Sequence, residues 1–253
     1  MHHDFIDKYS NLDSPVHRID SRVKIVFFFS LILICVSTPI YHIRAFFLYF
    51  LILIAILTIS KIPILHVLRK SLVIIPFVLI IALFIPFTET SETVFRFNDS
   101  PDLMMNRWLL FWNVLVKAFI SIITLILLNS VTRFDDTLKS LSAFRFPIVL
   151  INMLSFFYRY IFVIIDEAER MQRALVSRLF RGRSLIHAKV IGDLLAILFL
   201  RSYERGERVY LAMCARGWDG QLLIVDKKPL ILKDSAALII GLAALLLIRL
   251  WSV

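Results

Sequence analysis

Glycine and cysteine are both scarce in this chain of 253 residues, and their scarcity excludes several classes of protein. None of the six glycines precedes Gly182, which excludes a glycine-rich phosphate loop in the first two thirds and disfavours a turn-dense β fold. The two cysteines, Cys35 and Cys214, are too few and too far apart for a disulfide framework or a zinc site. Phosphate-loop, zinc-protease and serine-hydrolase motifs are also missing. We therefore expect this chain not to be an enzyme.

Apolar residues are what the chain has in excess. They make up 59% of it, against the roughly 45–50% that is usual for a soluble domain. The chain nevertheless carries 29 Lys and Arg against 19 Asp and Glu, a formal net charge of +10. Because charge is costly in hydrocarbon, we expect most of these groups to lie outside the membrane. They follow the loops between apolar stretches and not one soluble face, so we expect no nucleic-acid partner.

Five apolar stretches approach the length that crosses a hydrocarbon core about 30 Å thick, which takes roughly 17–25 helical residues. Because some twenty polar residues precede the first stretch and no cleavage site follows it, we expect no signal peptide. The sequence predicts an all-α polytopic membrane protein with about five transmembrane helices. The five stretches are 23–38, 42–60, 71–88, 108–128 and 235–251.

A sixth apolar stretch, 146–165, is ambiguous because it contains Asn152 and Arg159. The positive-inside rule favours five spans over six. With five, the thirteen Lys and Arg of 166–234 share a side with the basic N-terminus, and the acidic 89–107 loop takes the other. We therefore expect a cytoplasmic N-terminus and a long cytoplasmic insert. Whether 146–165 crosses the membrane or only enters it stays open. The expected division is 1–128 for the tail and four spans, 129–234 for a cytoplasmic insert and 235–253 for the last span.

The insert is helical by pattern. A short capped helix is expected to stop before Pro147. The stretch 148–181 lacks glycine and proline, which predicts one long helix that ends at Gly182. Apolar residues near a 3.6-residue spacing predict a second helix over 185–216, with Gly217 as its stop signal.

Three segments carry a resemblance to a known family. The first runs from Leu12 to Lys24 (LDSPVHRIDSRVK), the second from Glu167 to Ala174 (EAERMQRA), and the third from Arg201 to Gly220 (RSYERGERVYLAMCARGWDG). Together they resemble the transmembrane component of energy-coupling factor importers, and within it the cobalt and nickel branch. The resemblance covers about a third of the chain. At the N-terminus, Ser21 stands where that family often has proline.

The resemblance implies a non-catalytic scaffold in which two long coupling helices each end in an Ala-Arg-Gly-like motif that fits a groove on an ATPase subunit. The second motif matches at Ala215, Arg216 and Gly217, which follow one another in the sequence. The first aligns at Ser177-Arg178-Leu179, which keeps only the arginine, and Arg181-Gly182 is an alternative register. Charged residues expected to support the two coupling helices are Glu169, Arg170, Arg201, Glu204, Arg205, Glu207 and Arg208.

The resemblance also implies the partners and the location. They are two ABC ATPase subunits that hold ATP and Mg²⁺, a separate substrate-binding membrane subunit with or without a small accessory subunit, and the lipid bilayer of a prokaryotic cell (inner) membrane. No cofactor or metal is expected on this chain, because its internal histidines are scattered along the sequence. Met1-His2-His3 lies on the predicted cytoplasmic side, where an importer would have no use for a site that captures its cargo. The alternative is a self-contained carrier or channel. Such a protein would need polar groups that face each other in mid-membrane and usually an internal repeat, and the sequence shows neither.

Overall fold

The computed structural model describes residues 14–39, 42–84, 107–177, 186–218, 220 and 232–251. Within these ranges every regular element is an α-helix, and the predicted all-α fold is confirmed. The helices are α1 (Pro15–Arg18), α2 (Ser21–Ser37), α3 (Ile43–Ile59), α4 (Ile64–Phe84), α5 (Arg107–Val131), α6 (Phe134–Ala143), α7 (Ile148–Ser177), α8 (Ile186–Ala215) and α9 (Leu232–Trp251).

The chain divides into two compact units, which we name by their content. The bundle unit comprises 4–140 and 228–253, and so contains α1 to α5, most of α6, and α9. The hairpin unit comprises 1–3 and 141–227, and so contains α7 and α8. These borders follow contacts within the protein and not the position of a membrane. The expected division at 128 and 234 therefore stays a prediction.

The first two helices begin at side chains that cap them. Ser14 accepts a hydrogen bond from the backbone N–H of His17, and Pro15 occupies the first turn of α1. Asp20 accepts from the backbone N–H of Arg22 at 2.9 Å, so α2 begins at Ser21. Serine, aspartate and N-terminal proline are the residues that favour helix starts. The short α1 is not among the helices that the hydrophobic pattern predicted.

The bundle unit is built around α2 and α5. Helix α2 packs on α5 and α9, while α3 and α4 also pack on α5. The approach of α9 to α2 is close at Gly241, where a Cβ atom would lie 2.7 Å from Cε2 of Phe27. The largest fully buried side chains of the core are Tyr49, Phe28, Leu31, Leu53, Ile120, Leu127 and Leu245.

Among the residues that the structure describes, three helices are long and apolar enough to cross a membrane: Ile64–Phe84, Leu110–Val131 and Ile148–Ser177. The apolar helix Arg44–Ile59 is shorter, and α2 has only seventeen residues. The count of five spans therefore stays a prediction. The helix from Ile148 is a candidate span by its length and composition. Its expected place in the cytoplasmic insert rests instead on the distribution of Lys and Arg along the chain.

The start of α4 differs from the hydrophobic pattern, whereas the end of α6 agrees with it. Helix α4 begins at Ile64, seven residues before the predicted start at 71, because apolar residues continue around the basic pair Arg69 and Lys70. Helix α6 ends in a turn in which Arg145 has φ 60°, and the N–H of Phe146 bonds to the carbonyl of Leu141 at 3.3 Å. The predicted stop before Pro147 is confirmed.

We expect Gly241→Ala to destabilise the protein by about 1–3 kcal/mol, because the added methyl group would meet the Phe27 ring. Gly192→Ala in α8 is the matched control, since its Cβ would meet nothing within 4 Å and alanine favours a helix by about 1 kcal/mol. Thermal unfolding in detergent, followed by circular dichroism, measures both. Equal shifts in the two variants would contradict the close packing of α2 and α9.

Candidate functional site

Helices α7 and α8 contact each other in the hairpin unit and run in opposite directions. Glu167 of α7 meets Arg201 of α8. Fifteen residues earlier in α7, Asn152 meets Gly220, which follows the end of α8. The two contacts thus occur in opposite order along α7 and α8, which shows that the helices are antiparallel. The carboxyl ends of the two helices consequently point away from each other.

The carboxylate of Glu167 joins the two helices. Its Oε1 accepts a hydrogen bond from Nη1 of Arg201 at 2.5 Å, and its Oε2 accepts one from Nη2 of Arg170 at 2.9 Å. The Glu167 side chain is only 16% exposed, whereas the two arginine side chains are 58% and 56% exposed. Arginine forms strong charge-assisted bonds with carboxylates, but exposed pairs of this kind are individually worth about 1 kcal/mol or less. Glu167 thus fixes the register of the two helices more than it stabilises them.

The predicted supporting residues fall into two groups. Glu204 and Arg208 form an ion pair at 3.8 Å across one helical turn, as their spacing predicts. Glu169, Arg205 and Glu207 make no ion pair with any described residue. The supporting role of all seven predicted residues stays a prediction. Glu167 was missing from the predicted set, although its i,i+3 spacing to Arg170 could have indicated one of its two partners.

The end of α8 adopts a Schellman turn. The N–H of Trp218 bonds to the carbonyl of Met213 at 3.0 Å, and the N–H of Gly217 bonds to that of Cys214 at 3.0 Å. Gly217 takes φ 78°, which a glycine adopts without the clash that a Cβ atom would cause. Arg216 therefore occupies the C-cap position. The motif Ala215-Arg216-Gly217 is thus a structural unit, in which the glycine makes the turn and the turn presents the arginine.

The side chains around this turn are partly open to solvent. Arg216 is exposed and makes no ion pair with a described residue. The ring of Trp218 stands edge-on to that of Tyr210, with centroids 6.3 Å apart. Cys214 is exposed, and a hydrogen bond with its thiol raises the pKa of Tyr210. Cys35, the other cysteine, is fully buried.

The first predicted motif begins where α7 ends. Ser177 is the last residue of α7, and its Oγ donates a hydrogen bond to the carbonyl of Ala174 at 2.9 Å. Arg178 and the alternative Arg181-Gly182 lie outside the described residues. From the Glu167–Arg201 contact, Ser177 is ten residues along α7 and Ala215 fourteen along α8, in opposite senses. The two helix ends are therefore up to about 36 Å apart at a rise of 1.5 Å per residue.

Two lysines of the bundle unit meet the carboxyl ends of helices. Lys24 is only 6% exposed, and its Nζ donates to the carbonyls of His17, at 2.9 Å, and of Val131, at 3.3 Å. Val131 is the last residue of α5. Lys117 donates to the carbonyl of Val36 at 2.8 Å, in the last turn of α2. Cations are favourable at this end of a helix. The N-terminal segment that carries part of the resemblance is thereby attached to the end of α5.

The bundle unit has an apolar cavity of about 480 Å³ among α3, α4 and α5. Its lining consists only of apolar side chains, such as those of Phe46, Phe50, Trp112 and Phe119. A cavity of this kind offers no ligand to a metal ion. In the described ranges, no three side chains of His, Cys, Asp or Glu come close enough to hold one.

The fold defines the class of this protein: an all-helical membrane protein with several apolar helices. It belongs to the CbiQ family of cobalt transport proteins, whose family model matches residues 13–228. The match covers both helices of the hairpin unit and the turn at Arg216.

Three relatives are similar to this chain over most of its length. An uncharacterised protein of Methanocaldococcus jannaschii is 24% identical over 94% of this chain and 83% of its own length. The energy-coupling factor transporter transmembrane protein EcfT of Streptococcus thermophilus is 27% identical over 85% of both chains. A putative fused cobalt transport protein CbiMQ of Methanocorpusculum labreanum is 27% identical over 85% of this chain and 37% of the longer relative. These relatives support an energy-coupling factor transmembrane component.

We expect Glu167→Gln to weaken the contact of α7 with α8 slightly, because the amide loses the charge that attracts both arginines. The effect should shrink in high salt, where exposed charges are screened. Thermal unfolding at 20 mM and 500 mM NaCl measures this. Glu169→Gln on the same helix is the control, and an equal loss in that variant would contradict the bridging role of Glu167.

We expect Gly217→Ala to loosen the end of α8, because alanine at φ 78° costs about 1 kcal/mol. Hydrogen exchange of the amides at 213–218 should then accelerate about fivefold. Gly217→Asn is the matched control, since asparagine tolerates positive φ better than alanine. Unchanged exchange in Gly217→Ala would show that the turn does not depend on the glycine.

Proposed function

We propose that this chain is the transmembrane scaffold of an ATP-driven importer of the energy-coupling factor type, and that the cargo is cobalt or nickel ions. In this role it couples ATP hydrolysis by two ABC ATPase subunits to a separate substrate-binding membrane subunit. The chain itself is non-catalytic, and ATP and Mg²⁺ belong to the ATPase partners. The N-terminus and the hairpin unit lie on the cytoplasmic side of a prokaryotic cell membrane.

The observation that carries this proposal is the presentation of Arg216 at the end of α8. A cap position held by two backbone hydrogen bonds keeps the start of this side chain in one place. The planar guanidinium can form two parallel hydrogen bonds with a carboxylate, which suits it to docking on another protein. Its exposure leaves the head of the side chain accessible to such a partner.

The opposite directions of α7 and α8 fit a pair of ATPase subunits. Two arginines at the carboxyl ends of antiparallel helices can reach two separate grooves, one on each subunit. Arg216 serves one groove, and Arg178, which follows Ser177 in the sequence, serves the other. The bridge from Glu167 to Arg201 then connects the two helices that carry the two contacts. Closure of the ATPase pair would act on both ends of one connected hairpin.

The proposed cargo rests on the description of the matching family. The matching family is described as cobalt transport protein. The chain's apolar cavity and its lysines at helix ends offer no site for a divalent cation. We assign capture of the ion to the separate membrane subunit, with or without a small accessory subunit, as the family resemblance implies.

We expect the double variant Arg178→Glu with Arg216→Glu to abolish uptake of radioactive cobalt or nickel by cells that express all subunits. Loss of a hydrogen-bonded interfacial charge pair costs about 2–5 kcal/mol, so each single variant should bind the ATPase subunits at least about 30-fold more weakly. Lys70→Glu on α4 makes the same charge change outside the hairpin unit and is the control. Wild-type uptake in the double variant, or uptake by this chain alone, would overturn the proposal.

The two cysteines provide a direct measure of docking at the turn. Cys214 is exposed two residues before Arg216, whereas Cys35 is fully buried, so a maleimide should react with Cys214 alone. Added ATPase subunits should slow this reaction in the wild type. They should leave it unchanged in Arg216→Glu. Equal protection in both proteins would place the docking surface elsewhere.

A further inference from the structure

Helix α7 buries very little of its surface. Of its thirty residues only Ile151 and Asn152 are buried, at 3% and 7% exposure, whereas the neighbouring Val149 and Met153 are 64% and 63% exposed. A buried amide in an otherwise apolar segment is unfavourable unless it makes hydrogen bonds. Asn152 therefore stands out as the one polar side chain buried in this helix.

The amide of Asn152 binds the segment that follows the arginine turn. Its Nδ2 donates a hydrogen bond to the carbonyl of Gly220 at 2.8 Å, across 68 residues of sequence. Gly220 lies four residues after Arg216. The contact lies wholly within the hairpin unit and joins the start of α7 to the end of α8.

A second contact packs the same segment against α8. Trp218, between Arg216 and Gly220, stands edge-on to Tyr210 two turns earlier in α8. The Nε1 of Trp218 and the Oδ1 of Asn152 are both buried without a hydrogen-bond partner among the described residues. The turn is thus attached at two points, the Trp218 ring on α8 and the Gly220 carbonyl on α7.

We propose that Asn152 is a positioning residue for Arg216. Its hydrogen bond holds the segment after the turn against α7, so that Arg216 is presented from a backbone attached on both sides and not from a frayed helix end. Less conformational freedom then has to be lost when a partner docks. This inference rests on the docking role proposed for Arg216, and adds the residue that orients it.

The test is a double-mutant cycle on the affinity for the ATPase subunits, with Asn152→Leu, Arg216→Ala and both together. Leucine has a branched shape similar to that of asparagine but cannot donate a hydrogen bond to Gly220. Asn152→Leu alone should weaken binding about 3- to 10-fold, the size of one hydrogen bond. In the Arg216→Ala background the same change should alter the affinity less than about twofold, because the residue that Asn152 orients is gone.

Two further measurements separate positioning from a general loss of structure. Hydrogen exchange at 216–218 in Asn152→Leu, without partners, should accelerate about 3- to 10-fold while the thermal midpoint stays within the error of the wild type. Met153→Leu, at the exposed neighbouring position, should change neither exchange nor affinity. If Asn152→Leu does not fold, Asn152→Ser replaces it in the cycle, since serine is too short to reach the same carbonyl.

The outcomes are distinguishable. Full additivity of the two changes, or no effect of Asn152→Leu when Arg216→Ala weakens binding, overturns the positioning role and leaves the docking role intact. No effect of Arg216→Ala on the affinity overturns both. A loss with Asn152→Leu that disappears in the Arg216→Ala background supports both.

Discussion

The carboxyl end of an α-helix leaves its last carbonyl groups without partners, and much of this structure depends on how those groups are satisfied. At the end of α5 the partner is Lys24, and in the last turn of α2 it is Lys117. At the end of α8 the chain itself turns back at Gly217 and bonds to Met213 and Cys214. Charges that look costly in apolar segments are thus placed where a helix dipole favours them.

The same constraint explains how much the sequence could predict. The stop of α6 before Pro147 and the stop of α8 near Gly217 follow from local chemistry, and both were predicted correctly. Helix α8 also runs unbroken through Gly192 and Gly206, because about 1 kcal/mol for each glycine is a small cost in thirty residues. Local signals of this kind are contained in a few adjacent residues.

Contacts between distant segments were not predictable in the same way. The partners of Lys24 and Lys117 are backbone carbonyls, which every residue has and no residue type reveals. The second partner of Glu167, Arg201, lies 34 residues away and the partner of Asn152 lies 68 residues away, and only the antiparallel arrangement of α7 and α8 brings them together. At the candidate site, the sequence resemblance singled out Arg216, whereas the hydrogen bond of Asn152 to Gly220 is visible only in the tertiary structure.

The end of α8 has a consequence for symmetry. The sequence at the end of α7, Ser177-Arg178-Leu179, has leucine where the end of α8 has Gly217. The turn made at Gly217 would cost leucine about 1–2 kcal/mol, so the two helices are not equally suited to finish in the same way. Two identical ATPase subunits docking on this single chain would therefore meet unlike surfaces. In the proposed importer, this chain would make an otherwise two-fold symmetric pair of ATPase subunits asymmetric. The two subunits would differ in their contacts with the chain before any nucleotide binds.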